Sequence, residues 1–192
     1  MPPHHLHDVS DDELVRRARA GDRPAYGELV RRHQVVALRL AAGICGSTEE
    51  ARDIAQDAFV QGYRSLSRYR AEAPVRSWLL RIVANHAKNA VRSSARRRRR
   101  EDRSADLDRA DGGGDPVGEA VSGERDVAAR LAALAVLPER DREVLAARFL
   151  AGLSEAETAE LLGVPIGTVK SRGNRALARA RSVLAVDEVR RG

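Results

Sequence analysis

Apolar residues recur at helical spacing in several stretches of this chain, most regularly between residues 51 and 63. There they fall at i, i+3, i+4, i+7, i+8, i+11 and i+12, a spacing that predicts an amphipathic helix. The apolar face comprises Ala51, Ile54, Ala55, Ala58, Phe59, Gly62 and Tyr63. The polar face comprises Arg52, Asp53, Gln56, Asp57 and Gln61. Without further information, the polar face would be interpreted as an ordinary solvated surface.

Helix start and stop signals predict further helices along the chain. Ser10 suits an N-cap, Gly21 suits the end of the helix that follows it, and Ser47 with Glu50 forms a capping-box pair. The predicted helices span residues 10–20, 25–44, 51–63, 77–99, 125–136, 138–150, 154–162 and 166–186. Aromatic residues make up only 3% of the chain, while Ala, Leu, Val and Arg dominate, and this composition also favours an all-α protein.

A polar segment at residues 101–122 separates two helical parts. It lacks helical periodicity, contains three consecutive glycines and a proline, and carries two basic and seven acidic side chains, a net charge of −5. Such a composition is typical of a flexible linker. The predicted fold is therefore all-α, with two small helical domains at residues 10–100 and 123–186. Residues 1–9 and 187–192 are expected to form a disordered N-terminus and a C-terminal tail.

Charge and cysteine content narrow the function classes. The chain has 34 basic and 28 acidic residues, a formal charge of +6, which favours a polyanionic partner such as nucleic acid. Cys45 is the only cysteine, which excludes an intramolecular disulfide and a cysteine zinc site, and we expect it to be a small buried residue. No apolar stretch is long enough for a signal segment or a membrane span. We therefore expect a cytoplasmic protein without membrane insertion, metal or cofactor.

Two short predicted helices flank the turn at residues 163–165, and the second helix is basic, a pattern typical of a DNA-binding helix-turn-helix. At 100° per residue, one face of the second helix comprises Val169, Gly173, Ala176, Leu177, Ala180 and Leu184. The opposite face comprises Ser171, Arg175 and Ala178, flanked by Asn174 and Arg179. Such polar side chains suit contacts with bases and phosphates. A basic helix that merely faces solvent would explain the arginines. It would not explain why two short helices flank a tight turn over residues 153–172. We expect Gly173 to allow close packing against the preceding helix.

These motifs resemble a known family. The second domain is similar to region 4 of bacterial RNA polymerase sigma factors over LPERDREVLAARFLAGLSEAETAELLGVPIGTVKSRGNRALARAR. The first domain is similar to their region 2 over STEEARDIAQDAFVQGYRSLSRYRAEAPVRSWLLRIVANHAKNAVR. With only these two regions and a short acidic linker, the chain resembles the extracytoplasmic-function group. The resemblance implies a non-catalytic subunit that directs core RNA polymerase to promoters with minus 35 and minus 10 elements and helps to open the DNA.

The resemblance also implies site residues and partners. In core polymerase, the clamp helices of the beta-prime subunit would be bound by Asp53, Gln56 and Asp57. Region 4 would make a further contact with the beta flap. The minus 10 element would be contacted by the loop residues Arg70, Ala71, Glu72, Ala73, Pro74, Val75 and Arg76 and by Asn85, Lys88, Asn89 and Arg92. The minus 35 element would be contacted by Thr168, Lys170, Ser171, Arg172, Asn174 and Arg175. An anti-sigma factor is implied as the inhibitor.

The same residues also allow other protein classes and other residue roles. A stand-alone helix-turn-helix regulator is disfavoured because the polar face around Gln56 is unlike a dimer seam. An enzyme is disfavoured because no Cys–His pair, metal-ligand cluster or phosphate-binding loop occurs. Trp78 is expected in the core rather than as a platform for stacked bases. The five arginines at residues 96–100 partly complement a helix dipole, but nonspecific DNA contact is the more economical hypothesis.

Overall fold

The computed structural model describes residues 6–105, 131 and 134–191, and its regular elements there are helical. The α-helices are α1 (Asp11–Arg19), α2 (Arg23–Cys45), α3 (Thr48–Ser65), α4 (Val75–Ala105), α5 (Glu139–Leu145), α6 (Glu155–Leu162) and α7 (Ile166–Arg191). Short 3-10 turns lie at Leu6–Asp8 and Leu66–Arg68, and a π-helical turn at Ala146–Leu150 follows α5. The all-α fold class is confirmed. Helix α4 continues to Ala105, into the start of the predicted linker. The remainder of that linker lies outside the described residues, as does most of the predicted helix 125–136.

Helices α1 to α4 pack around an apolar core. Leu14 of α1, Leu29 of α2 and Leu80 of α4 are each fully buried. Burying one such side chain stabilises the fold by about 1.5–3 kcal/mol, so packing of the apolar stripes holds these helices together more than intrinsic propensity does. The hydroxyls of Ser10 and Ser47 accept hydrogen bonds from backbone N–H groups three residues later, at 3.3 and 3.2 Å, and cap α1 and α3. Only the Ser47 half of the predicted Ser47–Glu50 capping box is formed.

A charged network joins α1 to α2. Glu28 is buried and accepts hydrogen bonds from Arg31 and Arg32, while Arg32 also donates to Asp11 at 2.7 Å. His33 Nε2 lies 2.8 Å from the other carboxylate oxygen of Asp11. The hydrogen bonds from Arg31, followed by those from Arg32, outweigh the effect of burial and lower the pKa of Glu28 to about 2. The network therefore holds a carboxylate in its charged form beside the core.

Helices α5 to α7 form the second unit around a small core of their own. Leu137, Leu145, Ala176 and Ala180 are buried there. Helix α6 begins with a full capping box, because Ser154 Oγ accepts from the Glu157 backbone at 3.2 Å and the Glu157 carboxylate accepts from the Ser154 backbone at 2.7 Å. Gly163, at φ +65°, ends α6 and allows the sharp turn into α7.

The two units pack directly against each other, a contact that the sequence did not predict. Ala146 and Ala147 of the π-helical turn and Leu161 of α6 belong to the same buried cluster as the core of α1 to α4. At the centre of the contact, a Cβ atom on Gly43 would lie only 2.6 Å from the Cβ of Ala146 and 2.7 Å from Cδ1 of Leu150. Gly43 lies in the last turn of α2, where its missing side chain admits the second unit.

Candidate nucleic-acid and polymerase interface

The second helix of the helix-turn-helix, α7, presents one buried and one exposed face. Val169 and Ala176 are 1% and 0% exposed, and they anchor the helix on the second unit. Ser171, Asn174 and Arg175 are exposed on the opposite side. On the inner face deduced from the 100° spacing, Ala180 is also buried, and Gly173 and Leu177 are half-buried. The side chain of Leu184 lies outside the described residues. The three exposed side chains can all form hydrogen bonds, so this face is available for a ligand.

Local contacts orient several side chains around this exposed face. Arg175 Nε donates to the carbonyl of Ser171 at 3.3 Å, and Lys170 Nζ lies 3.6 Å from a carboxylate oxygen of Glu155. Arg179 donates to Asp141 of α5 at 2.6 Å, which ties the middle of α7 to the second unit. Thr168 and Arg172, the two remaining minus 35 candidates, are half-buried. The Lys170–Glu155 pair is largely exposed, so it is worth at most about 1 kcal/mol and can yield to a stronger anion.

Gly173 does not support the predicted close packing on the preceding helix. A Cβ atom added there would meet only Cγ1 of Val144 in α5, at 3.6 Å, an ordinary van der Waals distance. The nearest neighbour is therefore α5 rather than α6, and the space admits a methyl group. The expectation was wrong because the spacing of apolar residues identifies the inner face of a helix but not which neighbour it meets or how closely.

The minus 10 candidates on α4 form a second polar surface. Asn85, Asn89 and Arg92 are exposed and recur at i, i+4 and i+7, so they share one side of the helix. Lys88 lies beside them but is only 16% exposed at its side chain. Further along α4, the described arginines of the run, Arg96, Arg97, Arg98 and Arg100, are exposed. The run thus extends the basic side of the helix, and its role in DNA contact stays a prediction.

The loop before α4 differs from its prediction at one position. Arg70, Ala71, Glu72 and Pro74 are exposed and Ala73 is half-buried, as a contact loop requires. Val75, in contrast, begins α4 and is 2% exposed, so its side chain belongs to the core and cannot touch DNA. Its assignment to the minus 10 site was wrong because an isolated apolar residue in a polar stretch carries no helical period, and the helix begins two residues earlier than predicted.

Two residues that the sequence did not single out hold this loop in place. Tyr69 is 4% exposed, and its hydroxyl donates to the carbonyl of Ala73 at 2.7 Å. The ring of Tyr69 packs on Trp78 at a centroid distance of 5.2 Å, which places Trp78 at the edge of the core as expected. Arg19 of α1 donates to the carbonyls of Leu66 and Tyr69 and stacks over the Tyr69 ring. Tyr69 could have been identified from the sequence because it is an aromatic residue in a polar stretch.

One of the three polymerase candidates on α3 borders an open groove. Asp53, Gln56 and Asp57 are exposed, while Phe59 is buried beneath them, as the helical period predicted. The groove runs between α2 and α3, has a volume of about 630 Å³, and includes Gln56 in its lining. Tyr63, expected in the core, is 40% exposed and packs at the rim on the ring of Tyr26, with centroids 5.0 Å apart. An apolar floor with polar edges suits a helical partner.

Basic side chains of α4 are paired with acids of the second unit. Arg76 Nη1 lies 3.3 Å from Glu157, and Lys88 Nζ lies 3.2 Å from Glu143. Arg92 Nε lies 3.5 Å from Glu139. Three minus 10 candidates are therefore paired with carboxylates, while Arg92 stays 62% exposed and the outward face of α7 is open.

Other chemistry finds little support in the described part of the chain. Among those residues no group of three or more His, Cys, Asp or Glu side chains could hold a metal ion, and no helix is long and apolar enough to cross a membrane. Cys45 is half-buried, its Sγ donates to the carbonyl of Ser47 at 3.2 Å, and burial raises the pKa of its thiol. A raised thiol pKa opposes nucleophilic chemistry at neutral pH.

Comparisons with known proteins agree with this geometry. The family model for sigma-70 region 2 matches residues 29–97, and the model for sigma-70 region 4 matches residues 130–179. The sigma factor SigM of Mycobacterium tuberculosis is 37% identical over 178 residues, covering 93% of this chain and 86% of that protein. The sigma-E factor of Escherichia coli is 34% identical over 184 residues, covering 92% of this chain and 93% of that protein.

Solved structures show the same architecture. CnrH, in complex with the cytosolic domain of CnrY, superimposes with a TM-score of 0.70 at 27% identity and covers 93% of this chain and 99% of that one. RpoE of Bartonella quintana, in complex with the anti-sigma factor NepR, has a TM-score of 0.62 at 26% identity, covering 83% of this chain and 98% of that one. Both similarities extend over most of each chain, so they concern the whole arrangement of helices rather than one motif.

Proposed function

The chain belongs to the extracytoplasmic-function sigma factors of bacterial RNA polymerase, and from this premise we propose which of its surfaces contact promoter DNA and the polymerase. As a member of that family it is a promoter-specificity subunit, which acts in transcription initiation with core RNA polymerase. We further propose that it has no catalytic activity of its own and works in the cytoplasm, where promoter and polymerase meet.

The outward face of α7 is the proposed minus 35 surface. The assignment rests on the exposure of this face opposite the buried face of the same helix. Ser171, Asn174 and Arg175 are exposed near the start of a helix whose opposite side is buried, the geometry by which a recognition helix enters a major groove. Arg can hold two guanine acceptors, and Asn can pair with adenine. Lys170, with Thr168 and Arg172, would serve nearby phosphates.

The proposed minus 10 surface combines the loop 70–74 with the polar side of α4. A base that leaves the duplex needs a pocket with polar edges, and basic side chains must hold the phosphates beside it. The loop borders such a cavity together with Asp11, Asp12 and Tyr69. Asn85 and Asn89 supply hydrogen-bonding groups and Arg76, Lys88 and Arg92 supply positive charge.

The polymerase surface is proposed at Asp53, Gln56 and Asp57, three exposed side chains of α3, of which Gln56 lines the apolar groove between α2 and α3. We propose the clamp helices of the beta-prime subunit as its partner and a further contact between the second unit and the beta flap. Two structural relatives are solved with CnrY or with an anti-sigma factor. We therefore also propose an anti-sigma factor as a partner of this chain.

Reconstituted transcription tests these assignments. The purified chain, its cognate core polymerase and genomic DNA should yield transcripts whose start sites share two upstream sequence elements. The Asn174→Ala/Arg175→Ala variant should lose the upstream element from that shared set, whereas Arg181→Ala, at an exposed position further along α7, should keep it. Failure of the wild-type chain to give promoter-dependent starts would refute the proposed function.

A further inference from the structure

We infer that Arg19, the last residue of α1, positions the loop 70–74 and thereby sets the base preference of the minus 10 surface. The inference rests on the proposed function of that loop. It adds a positioning residue outside the loop, which acts through the backbone from which the loop departs.

The guanidinium of Arg19 binds the backbone where α3 ends and the loop begins. Its Nε donates to the carbonyl of Leu66 at 3.0 Å, and its Nη2 donates to the carbonyl of Tyr69 and lies 3.5 Å from that of Ser67. These acceptors lie in the 3-10 turn that follows α3 and at the C-cap of that turn. The last carbonyls of a helix have no partner within it, and a basic side chain can satisfy them. Arg19 therefore fixes the point at which the chain leaves α3.

A second contact continues from Arg19 into the loop. The guanidinium carbon lies 5.7 Å from the centroid of the Tyr69 ring, a cation–π distance, and the Tyr69 hydroxyl donates to the carbonyl of Ala73 at 2.7 Å. The loop's own ion pair, Arg70 with Glu72, is 4.0 Å long, and its side chains are 83% and 80% exposed, so it contributes little. The conformation of the loop therefore depends on Tyr69 and on the guanidinium that holds it.

The loop lies along α1, which is itself fixed to α2. Arg19 holds the start of the loop from the C-terminal end of α1, while Asp11 and Asp12, in the first turn of α1, border the cavity that the rest of the loop encloses. This cavity has a volume of about 410 Å³. Asp11 accepts from Arg32 at 2.7 Å and lies 2.8 Å from His33, so α1 does not follow the loop if the loop moves. The width of the cavity therefore depends on whether the loop stays against α1.

Loss of the Arg19 contacts should weaken base discrimination rather than unfold the protein. A released loop holds its binding conformation for only part of the time, and a strand that uses the loop then binds with an affinity reduced by that fraction. A strand with the wrong base makes no use of the loop and loses nothing. If the binding conformation falls to about one-tenth of the population, the preference for the right base should fall about tenfold.

Trp78, the single tryptophan of the chain, reports the position of Tyr69 without a label. The two rings pack with centroids 5.2 Å apart, and Trp78 is half-buried. In Arg19→Met, Tyr69 should leave this contact more often. The Trp78 fluorescence should therefore shift to longer wavelength and be quenched more strongly by acrylamide. Arg16→Met is the matched control, because Arg16 lies in the same helix and pairs with Glu13 of that helix, and it should fluoresce like wild type.

Base preference is measured by transcription from two promoter libraries with core polymerase. One promoter that the wild-type chain uses is randomised at the minus 10 element in the first library and at the minus 35 element in the second, and the transcripts are sequenced. Arg19→Met should reduce a minus 10 preference about tenfold and leave the minus 35 preference unchanged, whereas Arg16→Met should change neither. A variant that is merely less stable lowers all transcripts by the same factor and changes neither preference.

Arg19→Lys carries the same tests if Arg19→Met does not fold. It keeps the charge but has one nitrogen in place of the two that bind the carbonyls.

Two results would overturn the inference. One is that Trp78 in a folded Arg19 variant fluoresces as in wild type, and the other is that such a variant keeps the wild-type minus 10 preference. A wild-type chain that gives no promoter-dependent starts would refute the proposed function instead. The fluorescence measurement involves neither polymerase nor DNA, so it still decides whether Arg19 holds the loop.

Discussion

Replacing Gly173 with Ala should stabilise the protein, although the residue lies on the inner face of α7. Gly173 has an ordinary helical backbone, since positive φ values occur, among the described glycines, at Gly21, Gly46, Gly152 and Gly163. The added Cβ would meet Val144 Cγ1 at 3.6 Å, so it gains contact without overlap. Glycine inside a helix costs about 1 kcal/mol relative to Ala, which sets the expected gain at about 0.5–1 kcal/mol.

Thermal unfolding followed by circular dichroism measures this gain, which corresponds to a Tm increase of up to about 2–4 °C for a chain of this length. Two other glycines provide controls of opposite sign. Gly163→Ala forces a side chain onto a backbone at φ +65°, and Gly62→Ala places a Cβ 2.7 Å from the Tyr26 hydroxyl, so both should lower Tm. An unchanged or lower Tm for Gly173→Ala would refute the reasoning and restore the idea that the recognition helix needs a bare backbone there.

Three further predictions concern the loop, the charged network and the recognition helix. Tyr69→Phe removes the hydrogen bond to Ala73, worth about 1 kcal/mol, and should speed amide exchange in residues 70–74, with unchanged exchange contradicting the role of Tyr69. Because the pKa of Glu28 is lowered to about 2 from 4.5, its stabilisation is present above pH 4.5 and is lost as pH falls through about 2. The free energy of unfolding in urea, measured across this pH range, should therefore depend less on pH for Glu28→Gln than for wild type. Equal pH dependence of the two proteins would contradict the prediction. Arg175→Ala should cost about 1–3 kcal/mol in promoter affinity and relax preference at one base pair, whereas a uniform loss over all sequences would indicate a phosphate contact instead.

Helical periodicity predicted which face of a helix is buried better than it predicted which element that face contacts. The buried positions of α3 and α7 follow from the 3.6-residue period, because each helix has one apolar stripe and its exposed side is polar. Caps were equally local, as Ser10 and Ser154 show. Gly43 and Gly173 could not be interpreted this way. Whether a glycine admits a neighbouring backbone or merely lacks a side chain depends on tertiary distances that no local pattern contains.

The contact between the two units could not be predicted from the sequence for a related reason. The family resemblance assigned Arg76, Lys88 and Arg92 to the minus 10 element, and the sequence patterns gave no role to the acids of α5 and α6. The structure pairs members of the two sets that lie far apart in sequence, such as Arg76 and Glu157, which are 81 residues apart. No local pattern relates positions at that separation.

Glu157 illustrates how local and distant constraints combine at this contact. Its carboxylate caps α6 by accepting from the backbone of Ser154, and this hydrogen bond, more than the nearby charge of Arg76, lowers its pKa. The cap already orders the side chain, so pairing with Arg76 costs little further conformational entropy. The helix-turn-helix thus presents an ordered anion to α4 from one side while α7 keeps Ser171, Asn174 and Arg175 in solvent on the other. The proposed minus 35 surface therefore stays open to solvent in an arrangement that pairs Arg76 with Glu157.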